Sequence, residues 1–429
     1  MMVSGRTDEF TLDGEGPPGT AAPGEPRRRG PARTAGSPWP WVAAAMALLA
    51  AGVVVSPGGE RPAAGPPPAA WTREVPAGRA PSVWVSGERT LVASATSVSG
   101  LEAATGEDLW SVPLDDPACT EQAGQLTCVH GEGEDAVIAT VTAEGDVSER
   151  PFPGASVAHA AGDALLVAGL TESGVPFVDR YEEGVAQRTW RTALDQPFGE
   201  HPFGRATVSQ GVATFYRTLS DPYPFLAVEV ATGEQQPTVI LTPRGRMVGM
   251  NDGVESGDLQ IVPVPGPGLD LPDHPDAVVT TSGVTTPGGE MEYASVSGTI
   301  VAALGQDVLE WGFAPPDAPY DPASPPTGLP GTLARVDVFG RGRSWSTPTD
   351  GILGCPCAVS ENTAALLTSR WVQDSDQPDL EPYAIHGFDL GDGSTRWSIP
   401  LTTAPDGVAA GPDHLYVLSE GTLTAYVDR

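Results

Sequence analysis

Short runs of alternating apolar and polar residues recur along the chain after residue 70. Six of them are TLVASATSV, ALLVAGLTE, VATFYRTL, TIVAALGQ, AALLTSRWV and HLYVLSEG. Alternation with a period of two is typical of β-strands that bury one face. Gly and Pro are abundant, at 52 and 45 residues, which favours many short strands and turns over long helices. The pattern therefore predicts an all-β domain.

A phrase with an acidic residue, a turn glycine and a tryptophan follows several of these runs. In GLEAATGEDLW, Glu102 precedes Thr105 and Gly106, and Trp110 follows. Copies of this phrase end in a tryptophan at three further places, Trp190, Trp345 and Trp397. A copy at 228–234 has no tryptophan. Because glycine takes the positive φ of a tight hairpin, each phrase predicts a turn that leads into the last strand of a meander.

One such meander cannot bury its own apolar faces, whereas meanders stacked in a ring can, and a closed ring has no long exposed edge. The units therefore predict a β-propeller of four-stranded blades whose last strands lie near positions 71, 110, 150, 190, 237, 291, 345 and 397. Positions 150, 237 and 291 follow from spacing, without a tryptophan. The count is eight, with seven as the alternative because residues 240–330 are irregular. We expect the strand at Trp71 to complete the last blade, and the tryptophans to wedge between blades.

The first 70 residues do not fit this pattern. Residues 1–38 are polar and rich in Pro and Gly, which predicts a disordered cytoplasmic tail. Residues 39–55, WPWVAAAMALLAAGVVV, are uncharged and span roughly 25 Å as a helix. Four arginines precede them, so we predict an uncleaved transmembrane helix with a cytoplasmic N-terminus rather than a cleaved signal peptide. A Pro-rich spacer at 56–70 would then lead to an extracytoplasmic propeller at 71–429.

The net charge is −32, and the chain contains no lysine. An acidic surface repels phosphate backbones, which argues against nucleic-acid binding.

The phrase resembles the Ala-x-Asp-x-x-Thr-Gly-x-x-x-Trp repeat of the PQQ-like (quinoprotein-type) β-propeller family. Glu102 stands at the acidic position, and Thr105, Gly106 and Trp110 match. The resemblance covers residues 71–429, thinly in the middle, and two later copies lack the threonine. It implies a propeller fold and one of two kinds of function. The family contains quinone-dependent alcohol and sugar dehydrogenases, and also non-catalytic members such as the propeller lipoprotein that assists outer-membrane barrel assembly.

Catalysis is not expected. Quinone-binding relatives carry adjacent cysteines, a calcium site of Glu and Asn, and an aspartate base, and this chain has no Cys-Cys pair. It also has no CxxCH, HExxH, GxSxG or Walker motif. The six histidines are scattered, and we expect them to be exposed or hydrogen-bonded rather than ligands. We expect no cofactor.

Four cysteines outside the cytoplasm favour disulfides. Cys119 and Cys128 flank TEQAGQLT and are predicted to pair across adjacent strands. Cys355 and Cys357 either bond each other or stay free.

Two acidic loops have oxygen ligands at spacings that suit calcium. One contains Asp270, Asp273 and Asp276, and the other contains Asp374, Asp376, Asp379 and Glu381. Neither has the glycine turn of an EF-hand loop, so we expect solvated loops without metal and keep the second as a weak calcium candidate.

The sequence predicts a binding or assembly scaffold in the cell envelope, anchored through residues 39–55, with an envelope protein, a peptide or a glycan as its partner. A quinone- and calcium-dependent dehydrogenase-like enzyme is the first alternative. An envelope sensor, whose tail contacts a cytoplasmic partner, is the second.

Overall fold

The computed structural model describes residues 65–428, apart from 183–186, 194–202, 210, 217–225, 237–238, 242–246, 250–267, 270–277, 281–282, 286–290, 295–298, 314–329, 339–342 and 375–376. The predicted tail, the predicted transmembrane helix and most of the spacer lie outside these residues. Within the described ranges, no helix has the length and hydropathy needed to cross a bilayer. Every described residue belongs to one compact unit, Arg61–Arg429.

The described chain is all-β, with one short 3-10 helix at Gly133–Asp135. It begins with strand β1 (Ala69–Glu74). The first sheet contains β2 (Ser82–Ser86), β3 (Arg89–Ala93), β4 (Ser97–Glu102) and β5 (Asp108–Pro113). The second contains β6 (Ala118–Gln122), β7 (Gln125–His130), β8 (Val137–Val141) and β9 (Val147–Pro151). The third contains β10 (Ala155–Ala161), β11 (Ala164–Leu170), β12 (Pro176–Glu182) and β13 (Arg188–Ala193).

The fourth sheet contains β14 (Arg205–Ser209), β15 (Val212–Tyr216), β16 (Leu226–Glu229) and β17 (Gln235–Gln236). A two-stranded ribbon, β18 (Val239–Leu241) and β19 (Met247–Gly249), and the short strand β20 (Gly268–Leu269) come next. The fifth sheet contains β21 (Val278–Thr280), β22 (Gly283–Thr285) and β23 (Met291–Ala294). The sixth contains β24 (Thr299–Gly305), β25 (Asp307–Phe313), β26 (Pro330–Asp337) and β27 (Arg343–Asp350).

The seventh sheet contains β28 (Ile352–Val359), β29 (Thr363–Asp374), β30 (Gln377–Asp389) and β31 (Thr395–Pro400). The eighth contains β32 (Gly407–Ala410), β33 (His414–Ser419) and β34 (Thr422–Val427), and β1 is its fourth strand.

Each sheet is an antiparallel meander in chain order, with two exceptions: β20 joins the edge of β24 in parallel, and β1 joins β34 in the eighth sheet. The eight predicted last strands are confirmed, since each predicted position falls in or beside the final edge strand of a sheet. The predicted closure is also confirmed, because β1 pairs with β34 and places Trp71 opposite Ala425. Pairing of the first strand with the last ties the two ends of the domain together.

The alternating runs were predicted to be strands that bury one face, and for TLVASATSV and HLYVLSEG this is wrong. Thr90–Ala93 and Leu415–Leu418 are buried at every position, whereas the outer strand β5 alternates between exposed and half-buried residues. The reason is that neighbouring sheets cover both faces of these strands. We call the interface between two such sheets a seam, named by its two sheets.

Apolar clusters fill the first–second, second–third, third–fourth, sixth–seventh, seventh–eighth and eighth–first seams. Because the strands are antiparallel, connections alternate between two ends of each sheet. We call the end with the first-to-second and third-to-fourth strand turns the turn rim. The other end, with the second-to-third and sheet-to-sheet connections, is the connection rim.

Candidate functional site

Tryptophans on the outer strands lock five of the six seams whose apolar clusters the structure describes. In each of the five, the indole N–H of one sheet donates a hydrogen bond to the next sheet in order. The bonds run from Trp71 to Ala103 O (3.0 Å), Trp110 to Ala143 O (2.9 Å), Trp190 to Val230 O (3.1 Å), Trp345 to Leu390 O (3.0 Å) and Trp397 to Asp428 Oδ1 (3.3 Å). Each indole therefore binds the turn rim, or the chain end, of the following sheet.

The acidic phrase builds the turn that receives the indole. The Thr105 hydroxyl donates to Glu102 Oε2 at 2.6 Å and accepts from the Glu107 N–H at 3.3 Å. Gly106 has a φ of +72°, and a Cβ there would lie 2.7 Å from the Trp71 ring. The acid and the threonine thus hold the backbone of the turn, and the glycine lets the indole of the preceding sheet lie against it.

The chain end replaces a turn at the seventh–eighth seam. Besides Trp397, the Asp428 carboxylate accepts hydrogen bonds from Ser360 Oγ at 2.9 Å and Thr363 Oγ1 at 3.0 Å. A side-chain carboxylate therefore accepts the indole hydrogen bond at this seam, whereas a backbone carbonyl of a turn accepts it at the other four indole seams.

The second–third seam has no indole among its described residues. In the first sheet, Trp110 lies opposite Gly100 on the face toward the next sheet. The equivalent place in the second sheet belongs to Ser148, opposite Thr140. Thr140 in turn lies opposite Thr127, so a row of hydroxyl residues replaces the apolar row. Thr120 begins this row opposite Thr127, and its hydroxyl donates to Ala158 O of the third sheet at 2.7 Å, which shows that the row faces the seam.

The third sheet contributes a buried charged network to the same seam. The Asp179 side chain is 1% exposed, and both of its oxygens accept from Arg191, each at 2.6 Å. Arg188 lies 3.7 Å away, and the Tyr181 hydroxyl donates to Asp179 at 3.1 Å. Burial, followed by the Asp179 charge, raises the pKa of Tyr181, and the hydrogen bond with Asp179 raises the pKa of Arg191. Arg191 also stacks 4.3 Å above the Phe177 ring.

A cleft of about 740 Å³ opens in this seam at the connection rim. Its charged lining comprises Arg79, Arg191, Glu132, Glu134 and Glu172. The Arg79 guanidinium donates to Val129 O at 2.9 Å, while its buried Nε has no partner among the described residues. The cleft therefore offers both signs of charge and at least one unused donor.

A second cleft, of about 580 Å³, opens in the same seam at the turn rim. Its polar wall consists of Thr127, Thr140 and Ser148, with Gln122, Gln125, Glu149, Arg150 and Glu182 around them. Ile138, Ala160, Ala164 and Leu165 provide the apolar part of the lining. The second–third seam thus has a cleft at each end.

The predicted cysteine pair lies in the first–second seam. Cys119 and Cys128 are disulfide-bonded across β6 and β7 and are buried within its apolar cluster. Cys357 is disulfide-bonded as well, while the side chain of Cys355 lies outside the described part of the structure.

The calcium candidates lie on the long hairpin of β29 and β30. The register places Asp374 opposite Gln377 and Asp379 opposite Val372, but their side chains lie outside the described part, as does all of Asp376. Glu381 is exposed. The other acidic loop, Asp270, Asp273 and Asp276, is also outside the described residues. Among the described side chains, no group of three or more His, Cys, Asp or Glu residues is placed to hold a metal.

His159 differs from what the sequence predicted for the histidines. It is 6% exposed, and its Nδ1 has no hydrogen-bond partner among the described residues. Burial lowers its pKa to about 4, so the ring is neutral at physiological pH. His130 Nε2 lies 3.3 Å from Glu149 Oε1. His201 and His274 lie outside the described residues.

Sequence reasoning missed the second–third seam, although the signal was present. The last strand near position 150 was placed by spacing because no tryptophan stands there. What the spacing did not show is that the missing indole leaves a hydroxyl row between two clefts. That conclusion needs the register of β7, β8 and β9.

No family model and no curated protein matches this sequence. Among solved structures, the chain is similar to BamB from Moraxella catarrhalis, with 12% identity and a TM-score of 0.32 over 81% of this chain and 84% of BamB. It is also similar to the N-terminal domain of Nup159, with 10% identity and a TM-score of 0.34 over 85% of this chain and 96% of that domain. At these values, neither likeness bears on function.

Proposed function

We propose that this chain is a membrane-anchored, extracytoplasmic β-propeller of eight blades that serves as a binding or assembly scaffold in the cell envelope, without catalysis. Residues 39–55 are the proposed anchor. The eight sheets are the proposed blades, and β1 is the strand that closes the ring.

The observation that carries the proposal is the unlocked second–third seam. A scaffold that needed only stability would gain from an indole there, as at the other five seams, since a buried tryptophan contributes a large apolar area. Instead the seam contains a buried ion pair and two open clefts. Concave sites with a few convergent polar groups are where proteins usually bind their ligands.

The connection-rim cleft is the proposed site for a protein partner. Its lining combines two arginines with three glutamates, so it suits a peptide segment that carries both signs of charge. Arg191 is held by Asp179 and stacked on Phe177, which fixes its guanidinium before a partner arrives. A fixed charged group lowers the entropy cost of binding.

Site-specific photocrosslinking in cells that produce the full-length protein tests this proposal. A photoreactive amino acid replaces Glu134 or Ser173 at the cleft, and the matched control replaces the exposed Glu361 on the turn rim of the seventh sheet. We expect a discrete crosslinked partner from the two cleft positions and none from the control. Crosslinks of equal strength at all three positions, or at none, would contradict the proposal.

The absence of catalysis has its own test. The purified full-length protein is titrated with pyrroloquinoline quinone and calcium, and bound-cofactor absorbance and dye reduction are recorded. We expect neither signal above the level of a heat-denatured control. Quinone-dependent dye reduction by the folded protein would favour the enzyme alternative.

A further inference from the structure

The turn-rim cleft of the second–third seam has an unusual chemical lining. Its wall on the second sheet is the hydroxyl row Thr127, Thr140 and Ser148, which crosses three neighbouring strands in register. Gln122 and Gln125 continue this wall with two amides. Most of the polar groups of the wall are therefore uncharged, and each hydroxyl can both donate and accept a hydrogen bond.

These hydroxyl groups are not used by the fold. No hydrogen bond joins the side chains of Thr127, Thr140 or Ser148 to any other group in the described part of the chain. Thr127 is only 2% exposed, and it lines the cleft. Its hydroxyl is open to the cleft, because Thr127 Oγ1 is not one of the fully buried polar atoms without a partner. Thr120, in the same row, donates instead to Ala158 O. A ligand in the cleft can therefore form a hydrogen bond with Thr127 directly.

The remaining lining narrows the class of ligand. The Glu149 carboxylate lies beside His130, on the face of the sheet toward the first sheet, so Glu182 and Arg150 leave the cleft without net positive charge in a chain of net charge −32. This disfavours phosphate, sulfate and uronate groups. The apolar surface of Ile138 and Leu165 suits the C–H face of a pyranose ring, and the volume of about 580 Å³ lies within the usual range for small-ligand sites.

A peptide fits this wall less well. The strands β7 and β8 are paired on both sides, so only the outer strand β9 has a free edge beside this wall. An extended peptide paired with that edge would lie beside Ser148 and leave the hydroxyls of Thr127 and Thr140, on the two inner strands, without a partner. The hydroxyls of a sugar both donate and accept hydrogen bonds, so they can pair with each hydroxyl of the wall.

We propose that the turn-rim cleft is a binding site for a neutral or amino-sugar oligosaccharide. The hydroxyls of Thr127, Thr140 and Ser148 bind the ring hydroxyls, and the Glu182 carboxylate at the rim accepts from the sugar. This site does not depend on the protein partner proposed above, because the two clefts lie at opposite rims of the seam.

An array of neutral, amino-sugar and anionic oligosaccharides tests the proposal with the purified full-length protein in detergent. Three variants accompany the wild type. Thr127→Val removes one buried hydroxyl at nearly constant volume, and Ser148→Trp places an indole where the other seams have one. Ser111→Trp is the matched control, since it makes the same change on outer strand β5, away from the cleft.

We expect the wild type and Ser111→Trp to bind neutral or amino-sugar oligosaccharides with the same affinity. Thr127→Val weakens that affinity about tenfold, as expected for one lost hydrogen bond, while its thermal midpoint stays equal to or above that of the wild type. Ser148→Trp abolishes binding. If Ser148→Trp does not fold, the Thr127→Val result decides alone.

Three outcomes overturn the proposal: no binding to any oligosaccharide, binding only to the anionic members, or unchanged affinity in Thr127→Val and Ser148→Trp. Crosslinking at the connection-rim cleft would be unaffected by any of them, so failure here is distinct from failure of the scaffold proposal.

Discussion

The first–second and second–third seams are built from adjacent sheets of the same kind, yet they are closed differently. At the first–second seam, Trp110 binds the next turn and packs with an apolar cluster that contains the Cys119–Cys128 disulfide. At the second–third seam, Ser148 takes the equivalent place, and a buried ion pair and two clefts replace much of the apolar contact. The repeat therefore stabilises the seams between sheets, and a departure from the repeat leaves room for binding groups.

The largest expected effect comes from removing the indole of the closed seam. Trp110→Ala should destabilise the protein by about 3–5 kcal/mol, because it leaves a cavity in the seam and removes one of the two hydrogen bonds to the Ala143 carbonyl, the other coming from Arg89. Ser148→Ala, at the equivalent place of the open seam, should change the free energy of unfolding by less than about 0.5 kcal/mol. Denaturant unfolding measures both. Equal losses in the two variants would show that the seams are closed in the same way.

The pH dependence of stability should reveal the buried histidine. His159 has a pKa of about 4 when folded, below its ordinary value of 6.5, so the unfolded chain takes up a proton more readily. Stability is therefore complete above pH 6.5 and should fall by about 3 kcal/mol as the pH drops to 4. His159 lies opposite Leu166, on the face toward the fourth sheet, where a leucine side chain would have apolar neighbours. In His159→Leu the loss of stability between pH 6.5 and 4 that is due to His159 should therefore disappear. An unchanged slope in the variant would assign it to other groups.

Removing one partner of the ion pair in the second–third seam should lower the free energy of unfolding strongly, whereas replacing both partners by apolar residues should lower it little. Asp179→Leu leaves Arg191 without its buried partner and should cost about 2–3 kcal/mol, a figure reduced because Arg191 is partly exposed. The double variant Asp179→Leu with Arg191→Leu should recover most of this loss. A double-mutant cycle measures the coupling. If the double variant were as unstable as the sum of the single ones, the network would contribute nothing as a pair.

The smallest expected effect is the difference in stability loss between alanine substitutions at two turn glycines. Gly145 has a φ of +90°, and a Cβ would lie 2.7 Å from the Trp110 ring, whereas Gly162 at the open seam has a φ of +63° with nothing within 4 Å. Gly145→Ala should cost about 2–3 kcal/mol, and Gly162→Ala only the backbone penalty of about 1 kcal/mol. Thermal unfolding measures the difference. Equal costs would mean that no indole rests on the Gly145 turn.

Much of the fold could be predicted from the sequence, because turn chemistry and periodicity are local. Gly106 needs a positive φ, Trp110 follows at a fixed distance, and the spacing of such phrases located the last strand of every sheet. The unpaired strand at Trp71 likewise predicted closure on β34.

The candidate site could not be predicted in the same way, because it depends on strand register. No sequence motif connects the three hydroxyl residues Thr127, Thr140 and Ser148. Only the pairing of β7, β8 and β9 aligns them on one face of the sheet. The same holds for Asp179, which in the sequence looks like one more acidic turn residue but lies buried in mid-strand against Arg191.

Amide hydrogen exchange on the full-length protein tests most directly whether the second–third seam is the open one. We expect β9 amides to exchange faster than those of β5 and β31, and Ser148→Trp to raise β9 protection toward the level of those two strands. Equal protection of all three outer strands in the wild type, with no change in Ser148→Trp, would contradict it.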